Sequence, residues 1–161
     1  MEDCKKLEKL KTDYKVFQEK YSLPNFDELN EDFQIEKISE SETDFILREV
    51  RKYVTDKFFN YLRFIESLIN PSNSPMFVFA IAKTLGVTEK EKLAEIYKKI
   101  TKIEIDFIDL DLNYSEEKEA DSIKNYSKLW KEVKKEISGI IEVMKKNLDN
   151  KTEDNGKGYF G

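Results

Sequence analysis

The chain contains no histidine. This removes the commonest general base, the commonest zinc ligand and every triad built on Ser-His or Cys-His. Di-iron carboxylate bundles, which use Glu-x-x-His on two helices, are excluded with it. The single cysteine, Cys4, cannot build a zinc or iron–sulfur centre and cannot close an intramolecular disulfide. No glycine-rich loop has phosphate- or dinucleotide-binding spacing. Asp106, Asp109 and Asp111 lack the central glycine and closing glutamate of a calcium loop. The expectation is a protein without metal or cofactor, and not an enzyme.

Two groups of residues could still act. The first is the carboxylate run Glu104, Asp106, Asp109 and Asp111. At about 100° per helical residue, Glu104 and Asp111 fall within about 20° of each other. They stand between the main apolar face and a second apolar stripe of Ile105, Ile108 and Leu112, so partial burial is expected. The chemical reading is a divalent-metal site or an acid/base pair. The plainer reading, preferred here, is an ion pair with a cation from a neighbouring helix. A polar contact at a partner interface is the third.

The second group lies on one segment that carries all three arginines, Arg48, Arg51 and Arg63, interleaved with Tyr53, Phe58, Phe59, Tyr61 and Phe64. Arginines on phosphates and aromatics on bases would make a nucleic-acid face. Most of these rings fall on the apolar stripe and belong to the core. Phe59 is the exception, on the opposite side near Arg48 and Arg63. Arg48, Phe59 and Arg63 are therefore the candidate partner-contact patch. Cys4, beside Lys5 and Lys6 in a first helical turn, has surroundings that lower a thiol pKa, but no resolving cysteine accompanies it; a frayed terminal residue is expected.

The elements that carry these residues are helices. Five glycines and three prolines are too few for the turns of a sandwich or barrel. Leu7, Leu10, Tyr14, Phe17 and Tyr21 make a narrow seam on a first helix, close to a coiled-coil pattern, which Pro24 ends. A short turn capped by Asn25 and holding Phe26 and Leu29 follows. Residues 32–40 lack helical period, so Phe33, Ile35 and Ile38 are expected to lie extended or in a short strand. Ser41 and Asp44 read as a capping box opening a central helix that runs to Ile69. Ser74 caps a short, nearly all-apolar helix with Pro75 at its first position and Gly86 as its C′ residue. Thr88 and Glu91 open the next helix, which runs through Tyr114. The alternation from Ile103 to Leu112 also fits a strand, but the three–four spacing from Leu93 to Tyr114 is unbroken and favours the helix. Ser115 opens the last helix, expected to end between Asn147 and Asn150. The fold class is all-α: four main helices in a bundle, one short inserted helix, a single domain over 1–150 and a disordered tail over 151–161. Tyr159 and Phe160 in that tail could serve as a linear motif, but a functionless terminus is preferred.

Charge narrows the partners. The net charge of −5 argues against a general nucleic-acid binder. Residues 1–44 hold 7 basic and 13 acidic side chains, and residues 45–86 hold 6 basic and 3 acidic. The acidic first helix is expected to pack against the basic central helix, although its narrow seam could instead pair with a second subunit. Core burial is expected for the apolar insert from Pro75 to Gly86. The longest unbroken apolar run, Met76 to Ala82, is far short of a membrane span, and the N-terminus has no signal-peptide pattern. A cytoplasmic address follows. The leading expectation is a helical protein–protein interaction or scaffolding module that binds a protein partner or itself. The alternatives are a nucleic-acid accessory protein using the basic central helix and a carboxylate enzyme built on Glu104 and Asp111.

Overall fold

The computed structural model describes residues 2–156. The class is all-α, and among the described residues there is no strand. Four main helices are present, α1 (Glu2–Tyr21), α3 (Ile46–Ile69), α5 (Val87–Leu112) and α6 (Glu116–Gly156), with the shorter α2 (Phe26–Phe33) and α4 (Met76–Ala82) between them. The segment 103–112, ambiguous in sequence, is helical throughout. α6 runs on to Gly156, past its expected end. Tyr159 and Phe160 lie outside the described residues.

The chain divides into two compact units. One comprises the residues up to Phe59 with Lys102–Trp130; the other comprises Asn60–Thr101 with the residues from Lys131 onward. α3, α5 and α6 contribute to both.

In the first unit, α1 ends where Ser22 turns left-handed (φ 54°). The Leu23 amide then donates back to the Gln18 carbonyl at 3.1 Å, a Schellman closure whose apolar residue, Leu23, is buried. Tyr14 is fully enclosed, and its hydroxyl donates to the Pro24 carbonyl at 2.7 Å. Asn25 caps α2 as expected, accepting from the Glu28 amide at 2.7 Å. The expected extended stretch is instead a 3-10 turn, Ile35–Glu40. Gln34 turns left-handed (φ 55°), and the Asn30 side chain accepts from the Glu36 amide at 2.9 Å. With about three residues per turn, Ile35 and Ile38 then share one face, and both are buried. Phe33 and Phe58 pack on Trp130, ring centroids 6.2 and 5.3 Å away.

Ser41 does not cap α3. Its hydroxyl donates to the Ile38 carbonyl, and Thr43 accepts from the Phe45 amide at 3.1 Å instead. α1 packs on α2 and on the 3-10 turn. Its ion pairs include Lys11 with Asp27 and Lys20 with Glu116. Arg48 and Arg51 of α3 pair with acids of α5 and α6.

In the second unit, Ile65, Leu68, Leu93, Ile96, Ile100, Val133, Ile137 and Ile140 form the core. Asn147 donates to the Thr84 carbonyl at 3.0 Å, and Lys99 pairs with Glu136 at 3.6 Å. Ser74 does not cap α4; its hydroxyl donates to the Ser67 carbonyl, and Pro75 precedes the helix. Gly86 does not close α4 either. Its φ is not positive, and its carbonyl accepts the first bond of α5, from the Lys90 amide. Thr88 therefore lies inside α5 rather than at its cap. Burial of the apolar insert is only partial: Val78 and Ala82 are inside, while Met76 and Phe77 are 85% and 67% exposed.

Candidate functional site

The most unusual chemistry in the first unit is a guanidinium with no access to water. Arg51 is fully buried, and so is Glu119. Arg51 donates from Nε to Glu119 Oε2 at 2.6 Å and from Nη2 to Glu119 Oε1 at 3.3 Å. Nη2 also donates to Asp111 Oδ1 at 3.0 Å. The Phe107 ring lies under the guanidinium, 4.3 Å from its carbon. Local structure explains the meeting. α5 ends with the Asn113 amide donating to the Asp109 carbonyl at 2.8 Å. Ser115 then caps α6, with the Lys118 amide donating to its hydroxyl at 3.4 Å. That short connection places Asp111 on the last turn of α5 and Glu119 on the first turn of α6, both against α3. A carboxylate in a first helical turn also faces the positive end of the helix dipole.

Burial alone would pull the Arg51 guanidinium down. Its hydrogen bonds to Glu119 and Asp111 outweigh it and hold the group above its ordinary value, so it is charged at every physiological pH. Arg48 stands one turn away, 3.9 Å from Glu119, with its guanidinium carbon 4.7 Å from the Tyr114 ring centroid and 5.4 Å from that of Phe45. Nη1 of Arg51 and Nε of Arg48 are buried and make no hydrogen bond among the described residues. Nearby, the Tyr126 hydroxyl donates to Asp106 at 2.8 Å; burial and this bond raise its pKa.

The expected contact patch is distributed differently. Arg48 is half-buried in the ring and ion contacts just given. Phe59 is half-buried, edge-on to Phe107 with centroids 5.6 Å apart. Arg63 is exposed, in the second unit, lining a hollow of ≈ 470 Å³ with Glu66, Asn70 and Tyr97. Glu104 and Asp111 do share a flank of α5, but both are exposed rather than partly buried. Asp111 makes the ion pair expected of it, and its partner is Arg51. Among the described residues, no group of three or more metal-ligating side chains is arranged to hold an ion, and no helix is long and apolar enough to cross a membrane. Cys4 is exposed.

Sequence reasoning missed the Arg51–Glu119 pair, although a signal was present. Arg51 falls four after Leu47 and three before Val54, inside the apolar stripe, and Glu119 falls four before Ile123. The second apolar stripe was legible, and the structure leaves it uncovered: Ile105, Ile108 and Leu112 are 63%, 54% and 77% exposed. They form one row on α5, and the Asp111–Arg51 bond ties the C-terminal end of that row to α3.

Comparison of the chain with family models, with curated proteins and with solved structures finds no significant match in any of the three.

Proposed function

We propose that the protein is a helical interaction module that docks a protein partner on the outer face of α5. One observation carries this reading: three large aliphatic side chains, Ile105, Ile108 and Leu112, stand in a helical row and point to solvent. Isolated surface apolar residues are ordinary, but a contiguous row marks an interaction site. Spacing of three and four is the pattern by which one helix receives another. The buried Arg51 contacts support the reading by fixing the end of α5, so the row is presented on a rigid element. A rigid surface loses less entropy on binding. The lone cysteine and the absence of any disulfide framework fit a cytoplasmic setting.

A photo-crosslinking residue placed at Ile108 in the full chain, expressed in cells, tests this. The expected result is a discrete covalent protein adduct that disappears in the Leu112→Glu background. A crosslinker at exposed Lys128 on α6 serves as control. Adduct yield at Ile108 no higher than at Lys128 would refute the proposal.

A further inference from the structure

We infer that the occupant of the α5 row is a second copy of this chain, paired antiparallel about a two-fold axis. The inference rests on the docking reading above, and the charges beside the row identify the occupant. Taking about 100° per residue, Lys102 and Asp109 lie on one flank of the row and Glu104 and Asp111 on the other. Lys102, Glu104 and Asp109 are all exposed.

In an antiparallel pair of like helices, each flank meets the same flank of the other copy. Ile105 then packs against Ile108 of the second copy, and Lys102 faces Asp109 of the second copy, twice by symmetry. The other flank brings Glu104 toward Asp111 of the second copy, but Asp111 is held by Arg51 at 3.0 Å, which offsets part of its charge. In a parallel pair the flanks exchange. Glu104 would then face Asp109 of the second copy, acid against acid, again twice, and Lys102 would have no acid opposite. The charge pattern therefore selects the antiparallel arrangement. It also brings a lysine to the acidic C-terminal half of α5, where a helix end favours a cation and this helix has no basic residue in its last turn.

Three aliphatic side chains from each copy make a small patch. Interfaces well below about 1,000 Å² are weak, so the pairing is a concentration-dependent equilibrium. Symmetric pairing also suits a row that is self-complementary, as a two-fold contact requires.

Sedimentation equilibrium of the full chain up to about 1 mM tests the inference. The expected result is a monomer–dimer equilibrium that Leu112→Glu abolishes while circular dichroism stays unchanged. Asp109→Lys should weaken the dimer about threefold to tenfold, and adding Lys102→Glu should restore it. In the parallel arrangement, Asp109→Lys would tighten the dimer, so tightening overturns the inference. A chain that stays monomeric also overturns it, and the Ile108 crosslink then separates two cases. An adduct with a different protein leaves the docking reading standing; no adduct removes that as well.

Discussion

Arg51 and Glu119 meet at 2.6 Å with neither side chain reaching solvent. A charge removed from water is tolerated only while its partner stays in place. Glu119→Gln would leave Arg51 buried with Asp111 as its one remaining carboxylate, and should cost about 3–5 kcal/mol of folding free energy. Replacing both members by apolar residues of similar volume, Arg51→Met with Glu119→Leu, should lose little or gain stability. Urea unfolding of the three proteins checks this. A single-variant cost below about 1 kcal/mol would mean that water reaches the pair.

Tyr126, in the same unit, donates to Asp106 at 2.8 Å. Tyr126→Phe keeps the ring packing against Phe58, centroids 6.5 Å apart, and removes only the hydroxyl. The expected loss is about 1.5–3 kcal/mol, the range for a hydrogen bond to a charged acceptor. In alkaline titration followed by tyrosinate absorbance, the variant should lose one of the last groups to ionise, because burial and Asp106 both raise that hydroxyl. A titration curve unchanged at its alkaline end would contradict this assignment.

Glu116 sits where α1 meets the start of α6. Lys20 at 2.7 Å and the Tyr21 hydroxyl at 2.6 Å both donate to it, and these two bonds hold its carboxyl below the ordinary value. The folded pKa is thus lower than the unfolded one, about 4.3. Its contribution to stability is present above the unfolded value and is lost as pH falls through the folded one. Carboxyl NMR should place the Glu116 midpoint below the ordinary glutamate value. In Glu116→Gln, the Lys20 and Tyr21 signals should stop responding to acid in that window. A Glu116 midpoint at or above the ordinary value would show that the clamp does not form in solution.

These residues also show how far the sequence could be read. Helix identity was legible because apolar spacing of three and four persists from Leu93 to Tyr114 and from Ile46 to Ile69, and packing rewards that period regardless of local propensity. The capping serines were read less well. Ser41 and Ser74 are chemically competent caps, but each hydroxyl finds a preceding carbonyl instead, a choice set by backbone path rather than residue type. The stretch after α2 lacked helical period because its period is three, that of a 3-10 turn.

The arginines illustrate the deeper limit. A charged residue inside an apolar stripe is assigned to solvent by default, since arginine is rarely buried unpaired. Only the fold shows that Asp111 and Glu119, from two other helices, arrive at Arg51. Phe59 was read as exposed for the same reason; it is half-buried, edge-on to Phe107, a ring distant in sequence. The row Ile105, Ile108 and Leu112 was legible as a stripe. Whether a neighbour covered it was not, because that depends on which faces of the other helices turn toward α5.

The central claim is that the fold does not use this row and presents it to a partner. The most direct measurement is the urea unfolding free energy of Ile105→Ser/Ile108→Ser/Leu112→Ser, taken at low protein concentration where the chain is alone. The expected value lies within about 1.5 kcal/mol of the parent chain, about 0.5 kcal/mol for each surface position. A loss of several kcal/mol, the cost of removing buried aliphatic groups, would place the row in the core and contradict it.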